Sequence, residues 1–256
     1  MNIPLKAKTL FCFLLIMVLT GCATAYNPAT QKKELIFIDS MQEVQIGRGI
    51  SDNIIKNEIS PLNDAAKQLL VNKIGQRIAQ VSDRRDIVYH FMVLDSRDLN
   101  AFALPGGYVY IYKGLLDRID EQGLAAILAH EVGHVAARHS VKKMQSALGY
   151  NFLMALALAG FNKNDPQLAQ EISGATDVVY NLLSKGYSRQ DEFLADKLAV
   201  KYILRAGYDP HSLVRILELL NKEKGPSGRI FEILSDHPRM EERIRKVKEE
   251  IQKQAP

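Results

Sequence analysis

The 256-residue chain predicts an α+β fold, mostly helical with one small sheet, on three observations. Runs suited to strands cluster between residues 87 and 112, where Pro105-Gly106-Gly107 supplies a turn. From Asp120 onward the pattern is helical, with capping residues ahead of apolar-periodic runs and glycines behind them. The closing segment carries Met240, Ile244, Val247 and Ile251, spaced four, three and four apart, which is one apolar stripe on a charged helix.

Taken in order, residues 1–21 have the parts of an export signal. Lys6 and Lys8 precede the apolar run Leu10–Leu19, which is too short for a stable membrane-crossing helix. Leu19-Thr20-Gly21-Cys22 resembles the bacterial lipobox, which implies cleavage before Cys22 and lipid on its thiol and new amine. Two or more chains make such an anchor stable. Ala23 after the cysteine is similar to Gram-negative lipoproteins retained at the outer membrane, facing the periplasm. Residues 22–34 are polar, hold one proline and show no periodicity, so they are expected to form an extended lipidated tether. One domain over 35–256 is expected to follow, with no internal repeat and no second linker.

Within that domain, helices are expected at 41–58 and 64–81, and strands at 87–95, 99–104 and 108–112. A single long helix is expected from Glu121 to Leu148, capped by Asp120 and stopped by Gly149. Phe152–Phe161 is uncharged but too short to span a bilayer, and reads as a buried or substrate-gating helix. Further helices are expected at 167–184, 189–206, 211–223 and 239–253.

Composition excludes several classes of function. A 47% hydrophobic, 24% charged chain is neither disordered nor a polytopic membrane protein. Net charge is +4, and two of the positive charges lie in the leader, so nucleic acid is not an expected partner. The two cysteines, Cys12 and Cys22, both lie at the N-terminus, so the domain has neither a disulfide scaffold nor a thiolate metal site.

The chemistry is concentrated in His130-Glu131-Val132-Gly133-His134, an H-E-x-x-H motif. On a helix its histidines are one turn apart and about 40° from each other, so both imidazoles reach one ion. Zinc suits neutral imidazoles and leaves a position open for water, and Glu131 can take a proton from that water. Ile127, Leu128, Val132 and Val135 make the helix apolar, so three ionisable groups there need a purpose. Gly133 is costly in a helix interior unless a neighbour approaches closely. A third ligand must come from elsewhere. His139 lies about 180° round a continuous helix from His130 and reads as a surface or second-layer residue. His90 falls in a strand and His211 in a turn, neither at ligand spacing. A carboxylate remains, and Glu192 is the best placed, one turn before Asp196 in a helix capped by Ser188 and Asp191. On their own, Glu192 and Asp196 read rather as two exposed carboxylates of an amphipathic helix.

H-E-x-x-H followed by Ser188, Arg189, Glu192, Ala195 and Asp196 resembles the zinc metallopeptidase family of the CAAX prenyl protease, HtpX and the periplasmic BepA-type proteases. The likeness extends to Asn100-Ala101-Phe102, Pro105-Gly106-Gly107, Gly114-Leu115-Leu116, Asp236-His237-Pro238 and Arg243-Ile244, and so covers roughly 40–250. It implies a zincin-like fold with an active-site helix, one zinc ion held by His130, His134 and Glu192, and Glu131 as general base. Asp196 would orient a zinc histidine. Asn100 and Ala101 would lie on an edge strand that pairs with substrate backbone, and Arg243 would belong with the substrate. His237 would reach the active site, either capping the zinc at rest or bonding the oxyanion. Unlike the first two branches this chain lacks membrane-spanning helices, and unlike the larger periplasmic members it shows no helical repeats.

Together with the export signal, the resemblance implies an envelope endopeptidase acting on misfolded or stalled polypeptides. An edge strand accepts extended backbone, which only unfolded substrates offer. The alternative is a lipid-anchored chaperone or assembly factor with latent proteolysis, and a zinc-dependent lipid or glycan hydrolase would keep the metal without the edge strand.

Overall fold

The computed structural model describes residues 24–159, 186–222 and 240–254, together with Val178, Val179 and Leu182. The signal segment, Cys22, the core of the 167–184 helix and the Asp236-His237-Pro238 segment lie outside the described residues.

The expected tether is folded. Strands β1 (Thr24–Asn27) and β2 (Lys32–Leu35) form an antiparallel hairpin, with Thr24 opposite Leu35 and Asn27 opposite Lys32. Asn27 closes it locally, accepting from Ala29 N at 2.9 Å and donating to Glu34 at 3.0 Å. Glu34 in turn pairs with Lys142 at 2.6 Å, which fastens the hairpin to the domain.

Helix α1 (Ser40–Asn57) starts at a reciprocal cap between Asp39 and Gln42, and α2 (Ala65–Val81) starts at Asp64. The sheet follows in the order β3 (His90–Leu94), β5 (Tyr108–Tyr112), β4 (Ala101–Ala103). The pair β3–β5 is parallel and β4–β5 antiparallel, so the three-residue β4 lies at an edge. Its partner β5 coincides with the run expected from sequence, because aromatic and β-branched residues alternate there. Val109 and Ile111 pack toward α2, while Tyr108, Tyr110 and Tyr112 pack toward Ile46, Ile50 and Ile54 of α1. The Pro105-Gly106-Gly107 turn is a short 3₁₀ element with φ of 74° at Gly106 and 93° at Gly107.

After the short helix α3 (Lys113–Leu116), the expected long helix divides in two. Helix α4 runs over Glu121–Ala136, with Asp120 capping Gly123 N at 2.7 Å. Arg138 then takes a left-handed conformation, φ 57°, and α5 begins at His139. The cause is tertiary. Buried Glu43 of α1 accepts from Arg138 Nε at 2.9 Å while gripping Arg84 through two contacts of 2.7 Å. Arg138 Nη2 also donates to Ile38 O at 3.0 Å, so the reversal is held from two sides. Gly149 does not stop α5. It introduces a kink with φ 74°, and the helical backbone resumes to Ala159, taking in most of the apolar Phe152–Phe161 run.

Helices α6 (Arg189–Arg205), α7 (His211–Lys222) and α8 (Met240–Gln254) complete the described chain. α4 is buried from Gly123 to Ala136 and lies among α2, β4, α6 and α7. No described helix is long and apolar enough to cross a membrane.

Candidate active site

α4 and α6 approach each other closely at Gly133. A Cβ there would come within 2.9 Å of Ala195 O and 3.4 Å of Leu198 Cβ. The glycine therefore brings the His130/His134 face of α4 against the first turns of α6, where Glu192 and Asp196 are both buried. Ser188 starts α6 with a reciprocal cap to Asp191, which fixes the phase of the helix and so the direction of Glu192.

Three side chains converge. His130 Nε2 and His134 Nε2 are 3.0 Å apart, with His130 Nε2 3.4 Å from Glu192 Oε2 and His134 Nε2 3.4 Å from Glu192 Oε1. Zinc with bonds of ~2.0–2.1 Å in tetrahedral geometry sets its donors ~3.3–3.4 Å apart, so each of these contacts has the size of a donor–donor edge in a zinc site. The proton positions agree. His130 Nδ1 lies 3.0 Å from Asp196 Oδ1, a contact that in the neutral imidazole favours the hydrogen on Nδ1 and the lone pair on Nε2. That nitrogen faces another imidazole nitrogen and a carboxylate, an arrangement that suits a cation, either a proton or a metal ion. Burial alone would depress the His130 imidazole, but the carboxylates of Asp196 and Glu192 outweigh it and raise its pKa to about 10 without metal. Two imidazoles and one carboxylate, within 4.8 Å of one another and buried, fit a single zinc ion.

Glu131 is not one of the three converging groups, yet it is only 4% exposed. Burial raises its pKa to about 7, with the nearby Glu192 charge adding to the shift and His130 and Arg243 opposing it. A carboxylate with that affinity can take up and release a proton near neutral pH.

Arg243 is not on a substrate surface. It is 2% exposed, with Nε and Nη2 each 2.8 Å from Asp196 and Nη1 3.1 Å from Glu192. It therefore holds the two α6 carboxylates from behind, and its expected place with the substrate is corrected. Ala101 lies in β4, at the end of the strand order. Asn100 precedes the strand, its carbonyl accepts from Tyr112 N at 2.9 Å, and its Oδ1 is buried with no hydrogen-bond partner among the described residues. His237 lies outside the described residues.

Sequence reasoning left His139 as a surface or second-layer residue and missed Ser140 and Tyr187 beside it. Because α4 ends at Ala136, His139 is not on the far side of a continuous helix. It is buried, with its Nδ1 2.9 Å from His134 Nδ1. Tyr187 stacks on His134 at 4.2 Å between ring centroids and shares a 2.7 Å hydrogen bond with Ser140. Ser140 Oγ in turn lies 3.4 Å from Ala103 O of β4. A helix-breaking signal at 137–138 was the only cue that could have revealed this group, and neither residue is a glycine or proline.

The profile of Peptidase family M48 matches residues 65–251, which contain the whole site described above. The chain belongs to peptidase family M48. Among its relatives in M48, the mitochondrial metalloendopeptidase OMA1 of Schizosaccharomyces pombe is 32% identical over 186 residues, 71% of this chain and 52% of that protein. The beta-barrel assembly-enhancing protease of Escherichia coli is 28% identical over 192 residues, 72% of this chain and 38% of its own. The metalloprotease LoiP of Escherichia coli is 29% identical over 245 residues, 91% of this chain and 92% of LoiP. The chain thus spans about half or less of the first two relatives and nearly all of the third.

Proposed function

We propose that this M48 protein is a zinc-dependent endopeptidase, anchored to the outer membrane through lipid on Cys22, that degrades misfolded or stalled envelope polypeptides in the periplasm. The observation that carries the reading is the donor triangle of His130, His134 and Glu192 with buried Glu131 beside it. Support for polypeptide substrates comes from the family and from relatives named as metalloproteases. Support for the envelope comes from the leader and the lipobox-like Leu19–Cys22.

His130, His134 and Glu192 hold the zinc, and Asp196 orients His130 through Nδ1. When bound, zinc acidifies a water and polarises the scissile carbonyl. Glu131 accepts the proton of the attacking water and returns it to the departing amine. β4, last in the strand order, is the strand that would receive extended backbone, with Asn100 immediately before it. Recognition through backbone explains a preference for unfolded chains, because a folded protein does not present a free extended segment.

The test is Glu131→Gln. Removing the base but no ligand should leave one zinc per chain and reduce cleavage of an unfolded reporter by ~10²–10⁴. Cleavage at the wild-type rate would remove Glu131 from the chemistry. Cys22→Ala tests the address separately, since it should abolish incorporation of labelled fatty acid.

A further inference from the structure

We propose that His139 is a positioning residue for the metal site, accepting a hydrogen bond from Nδ1–H of His134 so that the Nε2 lone pair of His134 is directed at the zinc, with Asp191 orienting His139 from the other side. The inference rests on the metal ligation proposed above and adds a part that composition and motif spacing concealed.

The two zinc histidines face the same problem. A neutral imidazole has one N–H and one lone pair, and only the tautomer protonated at Nδ1 presents Nε2 to a metal. For His130 the answer is Asp196, 3.0 Å from Nδ1. For His134 the atom in the equivalent place is His139 Nδ1, at 2.9 Å. Two ring nitrogens at that distance form a hydrogen bond only if one carries hydrogen and the other a lone pair. The far side of His139 decides which. Its Nε2 lies 3.4 Å from Asp191 Oδ1, a charge contact rather than a hydrogen bond, and the negative charge on that side favours the hydrogen of a neutral His139 on Nε2. Nδ1 of His139 is then the acceptor and His134 the donor.

Asp191 is fixed in turn. Its Oδ2 accepts from the Ser188 hydroxyl at 2.6 Å and from Ser188 N at 3.3 Å, which leaves Oδ1 for His139. The cap that starts α6 therefore serves both halves of the site: it sets the phase of Glu192 and supplies the charge that orients His139. The position of His139 depends on the left-handed Arg138, without which the ring would point away. Tyr187 confines both rings, stacking on His134 at 4.2 Å and lying 5.8 Å from His139 between centroids.

The experiment measures zinc rather than turnover. His139→Leu keeps the volume and removes the acceptor, whereas His139→Asn keeps an acceptor close to the position of Nδ1. By competition with a chromophoric chelator, the Leu variant should bind zinc ~10–100-fold more weakly, with the Asn variant recovering most of that loss. A Leu variant with native circular dichroism and wild-type zinc affinity would overturn the proposal. So would an Asn variant as weak as Leu, because packing rather than the acceptor would then be responsible. A direct reading needs no variant. In zinc-loaded wild-type protein with ¹⁵N-histidine, long-range ¹H–¹⁵N correlation should show His134 protonated at Nδ1 and metal-bound through Nε2. The reverse tautomer would sink the proposal even if every variant failed to fold. Zinc bound while Glu131→Gln still cleaves would count against the catalytic reading alone and leave this one standing.

Discussion

Arg243 and Asp196 meet through two parallel contacts of 2.8 Å, Nε to Oδ2 and Nη2 to Oδ1, in a place where both side chains are buried. The third nitrogen, Nη1, reaches Glu192 at 3.1 Å. Burial alone would push the Asp196 carboxyl up, but the guanidinium beside it holds it below its ordinary value. One cation thus keeps ionised the carboxylate that orients His130 and stands next to the one that completes the donor triangle.

Arg243→Met should therefore be among the most damaging single changes outside the triangle. It takes from Asp196 and Glu192 the guanidinium that lies against both, and losing one member of a buried pair costs ~3–5 kcal/mol of folding stability. Arg243→Lys should recover less than half, because an ammonium cannot bond both Asp196 oxygens and Glu192 together. Urea titrations in the presence of a chelator measure this without the contribution of metal. A Met variant with a wild-type midpoint would contradict the role given to Arg243.

Gly133→Ala separates two opposite forces. Helix propensity favours alanine by about 1 kcal/mol in an exposed helix interior. Here the added Cβ would sit 2.9 Å from Ala195 O, a backbone atom that moves only with α6. Overpacking of that kind costs ~1–3 kcal/mol and displaces Glu192 from the triangle. The expected result is lower stability together with weaker zinc binding, and a more stable variant with unaltered affinity would show that α6 yields freely.

These two arginine and glycine relationships differ in how far the sequence disclosed them. The closeness of α4 to another backbone was legible at Gly133, because a glycine inside an apolar helix needs such a reason. The caps at Asp120 and Ser188 and the strand 108–112 were legible for the same cause: their determinants lie within a few residues. Arg243 was misplaced because its partner Asp196 is 47 residues away and nothing local marks the pair. The division of the long helix was hidden for a similar reason, since Arg138 is held by Glu43 from 95 residues upstream. The hairpin at 24–35 has mixed polar residues on both strands and is closed by Asn27 side-chain bonds, so it offered no alternation to read.

The proton balance of the metal site gives a prediction with a definite sign. In the metal-free protein the His130 pKa is raised to about 10 against an ordinary value near 6.5, so at neutral pH this imidazole carries a proton where zinc would sit. A raised value stabilises the folded metal-free protein fully below about pH 6.5, and that contribution is lost as pH rises through about 10. Zinc must displace the proton. Between those limits binding should release close to one proton from His130, and this group should make affinity rise about tenfold per pH unit. Calorimetry in two buffers of different ionisation enthalpy counts the proton. Affinity independent of pH from 6.5 to 9 would contradict a protonated metal-free site.

Arg138 offers the last test, because its backbone and its side chain can be probed apart. The residue has φ 57°, which costs an L side chain about 1–2 kcal/mol and costs glycine almost nothing. Its guanidinium offsets that strain by bonding Glu43 and Ile38 O. Arg138→Ala removes the bonds and keeps the strain, whereas Arg138→Gly removes both. The glycine variant should therefore be the more stable of the two, by about 1 kcal/mol, although glycine elsewhere in a helical segment is the worse choice. Both variants keep Arg84 as a partner for Glu43, which limits the damage to the reversal itself. If the reversal places His139 against His134, the alanine variant should also bind zinc more weakly than the glycine variant, since only alanine is driven out of the left-handed region. Equal stability and equal zinc affinity in the two variants would mean that the turn between α4 and α5 is set by something other than the conformation of residue 138.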